Sequence, residues 1–167
     1  MASPEEKKFA AVCHWQGNPA RGATIPKLNM GLAAKATIVP QKAAPVRILI
    51  ADDSPFVRRA IRILLEANPG WEVCGEAANG QEALDRAMKL APDIIILDLV
   101  MPVMDGLQAA RRMAVIAPKT PTVMLSMHYS PQLESEASEA GVHTVLSKSE
   151  SSALVSTIEN LVRHRTC

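Results

Sequence analysis

From Pro45 onward, short apolar runs of strand length alternate with stretches of helical period, five times over. The runs predict strands over 46–51, 71–77, 93–98, 122–126 and 142–146. Ser54 is placed to cap the first helix, with Pro55 at its first position, where a missing N–H costs nothing. Val57, Ile61, Leu64 and Leu65 form its apolar stripe, and Asn68-Pro69-Gly70 stops it. A second helix is predicted over 81–90, with Ala83, Leu84, Ala87 and Met88 turned inward. A third runs from Gly106 to before Pro118, a fourth over 131–140, and a fifth over 152–164. The first, third and fourth strands are apolar almost without interruption, which marks strands buried on both faces of a parallel sheet. Alternating β and α in this order predicts a doubly wound α/β domain with right-handed crossovers.

Residues 1–44 show neither period; Pro4, Pro19, Pro26 and Pro40 punctuate them, and Pro45 follows at their end. They carry Lys7, Lys8, Arg21, Lys27, Lys35 and Lys42 against Glu5 and Glu6. The expected division is therefore a flexible basic segment over 1–44 and an acidic folded domain over 45–167. Aromatic residues are only 3% of the chain, so the core must be built from Ile, Leu, Val, Ala and Met. Met88, Met113, Met124 and Cys74 are all expected inside it. Cys13, Cys74 and Cys167 are an odd, widely spaced set that fits a reducing cytoplasm better than a disulfide framework. No apolar run has the length of a membrane helix.

Four charged residues stand where strands end. Asp52 and Asp53 follow the first strand, Asp98 follows Ile94-Ile95-Ile96-Leu97, and Lys148 follows the fifth strand. In a parallel sheet those ends converge on one crevice. Clustered carboxylates repel one another and require a cation, and a hard oxygen site of this kind suits Mg²⁺. A lysine opposite suits an incoming phosphoryl group. Taken singly, each position reads as well as a helix N-terminal turn, a loop cap or a solvated charge. Arg58, Arg59, Arg111 and Arg112 read as solvated helix faces, with Arg58 and Arg59 starting beside the acids.

Residues 46–165 resemble the receiver domain of bacterial two-component response regulators. The resemblance rests on Ile48-Leu49-Ile50-Ala51-Asp52-Asp53-Ser54, Ile96-Leu97-Asp98-Leu99-Val100-Met101-Pro102-Val103-Met104-Asp105-Gly106, Val123-Met124-Leu125-Ser126 and Leu146-Ser147-Lys148. The texture near Gly80-Gln81-Glu82-Ala83-Leu84 is most similar to receivers that carry LuxR-type outputs. The resemblance implies a flavodoxin-like five-stranded sheet in the order 2-1-3-4-5. It implies that Asp98 accepts phosphoryl from a histidine kinase or phosphotransfer protein. Asp53, Asp52 (partly through water), Asp98 and the backbone carbonyl of Val100 would hold Mg²⁺. Lys148 and the Ser126 hydroxyl would take phosphoryl oxygens.

The output implied is a shift of the face formed by the fourth helix, fifth strand and fifth helix, with Glu134, Glu136, Glu139 and Glu159, toward a downstream protein or a second copy. Nucleic acid and membrane are not expected partners, and no enzymatic activity is expected beyond the chain's own phosphorylation and dephosphorylation. The chain departs from the family at Val145, where an aromatic switch residue is usual, and at Ser149, where Pro is frequent. Tyr129 is read as an ordinary half-exposed tyrosine. An apolar Val100 implies a moderately long-lived phosphoryl group, and His128 is expected to lie in solvent. Three alternatives stand beside this reading: a phosphorylation-independent interaction module, a fragment of a transcription regulator, and a phosphoaspartate hydrolase. Val100 disfavours the last, since that chemistry wants an acid there.

Overall fold

The computed structural model describes residues 44–165. The basic segment expected over 1–44 falls, but for residue 44, outside the described residues. The elements are β1 (Val46–Ala51), α1 (Pro55–Glu66), β2 (Trp71–Ala77), α2 (Gly80–Leu90), β3 (Ile94–Asp98), α3 (Gly106–Ile116), β4 (Thr122–Ser126), α4 (Pro131–Glu139), β5 (Thr144–Ser147) and α5 (Ser151–Arg165). All strand pairs are parallel and the sheet order is β2-β1-β3-β4-β5. The order reverses between β1 and β3, so a crevice opens where those two strands end.

Local chemistry starts four of the helices. Ser54, Asn79, Asp105 and Ser130 each accept a hydrogen bond from a first-turn backbone N–H, of Val57, Glu82, Gln108 and Leu133 respectively. Gly141, with φ +86°, turns the chain out of α4.

The sheet separates two apolar cores. On the side of α1 and α5, Ile48, Ile50, Ile94, Ile96, Val123 and Ile158 are buried together. On the side of α2, α3 and α4 the core is built from alanines, including Ala83, Ala109 and Ala137, with Met113, Met124 and Leu97. Methionine fills the irregular gaps that small alanines leave.

Two expectations need correction. Met88 is 62% exposed rather than inward, because α2 covers its side of the sheet with Ala83, Leu84 and Ala87 alone. The fifth strand runs over Thr144–Ser147 and not 142–146. Gly141 N–H bonds to Ser138 and Val142 N–H to Ala137, so Val142 closes α4 instead of opening a strand. Cys74 is half-buried on edge strand β2, beside the register shift between Ile48 and Leu49. Burial pushes its thiol above the ordinary range. Among the described residues, no helix is long and apolar enough to cross a membrane.

Candidate functional site

The fold brings Asp52, Asp98 and Lys148 into contact. β1 and β3 are hydrogen-bonded neighbours, so Asp52 and Asp98 leave adjacent strands. Three backbone bonds fix the strand ends: Asp52 N–H to Ala77 O, Leu99 N–H to Leu125 O, and Lys148 N–H to Ser126 O. The Lys148 ammonium lies 2.7 Å from Asp52 Oδ2 and 2.9 Å from Asp98 Oδ1. Asp52 is 1% exposed, and its other oxygen accepts the Ser54 N–H at 2.9 Å. Asp53 is exposed and makes no side-chain hydrogen bond or ion pair among the described residues. Asp52, Asp53 and Asp98 each offer an oxygen within 4.8 Å of the others, a group that could hold a metal ion.

The electrostatics support a cation. Burial pushes the Asp98 carboxyl above its ordinary range, and the hydrogen bond from Lys148 opposes this incompletely. Lys148 shares its one charge between two acids, so neither is fully compensated. Burial lowers the Lys148 ammonium, but its bonds to Asp52 and Asp98 outweigh that and leave it above the ordinary lysine value. One ammonium among three carboxylates leaves an anionic cluster, and its all-oxygen donors match a hard divalent ion.

Ser126 is buried beneath the same crevice. Its hydroxyl donates to the carbonyl of His128 at 2.8 Å and accepts the His128 N–H at 3.1 Å. The hydroxyl is thus engaged by its own loop and not by Asp98. The loop after Asp98 is held tightly. A Cβ at Gly106 would stand 2.2 Å from the Asp98 carbonyl oxygen, so only glycine allows this return. Met104 N–H bonds to Pro102 O across Val103, whose φ of +67° is rare for a β-branched residue. Val103 and Val100 are both exposed. Val145 is buried in the alanine-rich core and not at the site. Tyr129 is half-exposed and its hydroxyl donates to Glu134.

Arg58 was expected in solvent, yet only 16% of its side chain is exposed. It donates to the Asp52 carbonyl at 2.7 Å and to Glu76 at 3.0 Å. Sequence reasoning missed this contact because Glu76 meets α1 only through the β1–β2 register, which places it beside Ile50. An apolar groove of about 590 Å³ runs between α1 and the start of α5, lined by Ile61, Ile63, Leu64, Met127 and Leu154, and reaches Lys148.

Comparison with known proteins agrees with this geometry. A family model described as the response regulator receiver domain matches residues 48–159. A protein-glutamate methylesterase/protein-glutamine glutaminase of Alkalilimnicola ehrlichii is 52% identical over 81 residues, 48% of this chain and 20% of the relative. A protein of Methanosarcina mazei with the same name, numbered 1, is 44% identical over 117 residues, 68% of this chain and 32% of the relative. The chain thus spans a third or less of these relatives' length. Among solved structures, a LuxR-family two-component response regulator from Aurantimonas superposes with TM-score 0.69 at 32% identity, covering 72% of this chain and 87% of that one. The response regulator domain of Thermotoga maritima CheB gives 0.67 at 25% identity, covering 71% and 97%.

The relatives correct one expectation. A chain without enzymatic function was expected, whereas the curated relatives are named for an enzyme, although the match covers only part of each. With the fold, the strand order and a family match over most of the folded region in agreement, this chain belongs to the response regulator receiver domain family of two-component signalling.

Proposed function

We propose that Asp98 is the phosphoacceptor of this receiver, and that Asp52, Asp53, Asp98 and the Val100 carbonyl bind Mg²⁺. The observation that supports it is the Lys148 ammonium bridging Asp52 and Asp98 in a crevice that remains anionic. A divalent ion would supply charge neutralisation for an anionic donor approaching a carboxylate. An Asp98 oxygen attacks phosphorus of a phosphohistidine or small acyl phosphate, the bond to the donor breaks, and an acyl phosphate forms. Lys148 then pairs with a phosphoryl oxygen as a point charge. Ser126 donates to another oxygen once its hydroxyl leaves the His128 carbonyl. That release moves the segment from Met127 to Ser130, which leads directly into α4, and the α4–β5–α5 face carries the change to a protein partner.

The phosphodonor is a histidine kinase or phosphotransfer protein, acting in the cytoplasm. Exposed Met127, which lines the α1 groove, and exposed Phe56, in the first turn of α1, offer it apolar contact. The test is incubation with acetyl phosphate and Mg²⁺ followed by intact mass measurement. One phosphoryl group should be added, at Asp98. Continuous phosphate release, or no labelling, would overturn the reading.

The relatives' names favour a second element. The phosphoryl state is read by a protein-glutamate methylesterase/glutaminase activity of the kind they are named for. Methyl-ester hydrolysis should then respond to acetyl phosphate in the parent protein and not in Asp98→Asn. The division at residue 44 belongs to the same proposal, and limited proteolysis that removes the basic segment while sparing the rest tests it.

A further inference from the structure

We propose that Arg58 is a positioning residue for the cation-binding carboxylates, held in place by Glu76. The inference rests on the cation reading of the acidic cluster given above. Arg58 stands in the second turn of α1, and its guanidinium reaches back over the turn that ends β1. One nitrogen, Nη1, donates to the carbonyl oxygens of Asp52 at 2.7 Å and of Asp53 at 3.4 Å. Its Nε donates to Glu76 Oε2 at 3.0 Å. The other Glu76 oxygen is taken by Arg62 at 2.7 Å, and Arg62 also holds Glu66 at 2.9 Å.

The consequence is geometric. Fixing two successive carbonyls fixes two successive peptide planes, because each peptide is rigid. Those planes lie on either side of the Asp53 Cα and so set the direction of the bond that carries its carboxylate, and one of them also borders the Asp52 Cα. Asp52 has further restraints from Lys148 and Ser54. Asp53 is exposed and its side chain has none among the described residues, so its backbone is what can aim it. Arg58 supplies that restraint from outside the ligand set, as outer partners commonly do at metal sites.

Glu76 solves a problem that Arg58 creates. A bare guanidinium beside Asp52 and Asp53 would repel a divalent ion. Two arginines and two glutamates form a closed, neutral set, so the fork can hold the loop without spoiling the anionic crevice. Arginine suits the role because its planar fork engages a carboxylate and a carbonyl at once, which a lysine cannot do in fixed geometry.

Electrostatics and positioning predict opposite signs, and that makes the test decisive. Removing a positive charge alone should tighten cation binding, whereas losing the positioning contact should weaken it. Mg²⁺ is titrated into the full chain and followed by amide chemical shifts, with unfolding measured separately without Mg²⁺. Arg58→Gln should bind Mg²⁺ about tenfold more weakly than the parent. Arg58→Lys, which keeps the charge, should also lose affinity. Glu76→Gln should lose affinity, and Arg62→Gln, which touches neither carbonyl, should retain it. Binding by Arg58→Gln as tight as the parent's, or tighter, would overturn the proposal. If that variant does not fold, Arg58→Lys decides, and parent-like affinity there overturns it. A parent chain that binds no Mg²⁺ would instead remove the cation reading, and this inference with it.

Discussion

Two ion networks meet at the end of β1, and they differ in charge balance and burial. In one, Lys148 stands alone between Asp52 and Asp98 with Asp53 nearby, and the lysine and its two partners are largely buried. In the other, Arg58 and Arg62 face Glu76 and Glu66, with more solvent contact and no charge left over. The residue types are similar. The buried network lacks a positive charge and so is unfinished until a cation or phosphoryl group arrives. The neutral network is complete as it stands and can act as scaffold. Uncompensated charge held in place, rather than the number of ion pairs, marks the chemical centre.

The largest expected effect tests which network reacts. Asp98→Asn should abolish labelling by acetyl phosphate in intact mass measurement, while Glu76→Gln should still be labelled. Next, Lys148→Met leaves Asp52 and Asp98 facing one another without their shared counter-charge. Without Mg²⁺ it should be destabilised by about 3 kcal/mol in urea unfolding. Added Mg²⁺ should shrink that deficit, since a cation replaces the lost ammonium. A deficit indifferent to Mg²⁺ would erase the distinction between the networks.

Glu76→Gln should cost about 1 kcal/mol near neutral pH, as expected for partly exposed pairs in a network. The sign of its pH dependence follows from the folded state. Burial alone would raise the Glu76 carboxyl, but Arg62 and Arg58 hold it below the ordinary glutamate value. Its stabilisation is therefore present above that value and lost as pH falls through the folded one. The parent and Glu76→Gln should converge in acid. The smallest effect has the opposite direction. Val103→Gly relieves a positive φ at an exposed side chain and should raise stability by about 1 kcal/mol. It should leave both networks unchanged, which equal Mg²⁺ affinity would verify.

Much of this was legible in the chain. The bounds of β1, β2 and β4 match the predicted runs. β1 and β4 stood out because a strand buried in a parallel sheet is apolar nearly throughout, whereas β2, with Glu72 and Glu76, lies at the sheet edge. Ser54-Pro55 and Ser130-Pro131 marked helix starts through capping chemistry that acts within one turn. Met88 misled because helical period alone leaves a neighbouring position ambiguous when alanines suffice to cover the sheet. Val142 misled because an apolar residue can close a helix as well as open a strand. Arg58 misled because its partner Glu76 lies 18 residues away, across a strand register that no local pattern reveals.

The sequence by itself determined the alternation of elements, the parallel sheet and the placing of three acids and a lysine at strand ends. Those follow from short-range rules of period, capping and burial. Only the tertiary structure decided that Lys148 bridges two aspartates, that Ser126 is bound to its own loop, and that Arg58 grips the acidic turn. Such contacts depend on distances of a few ångströms between segments far apart in the chain, and the packing of the two cores on either side of the sheet sets those distances.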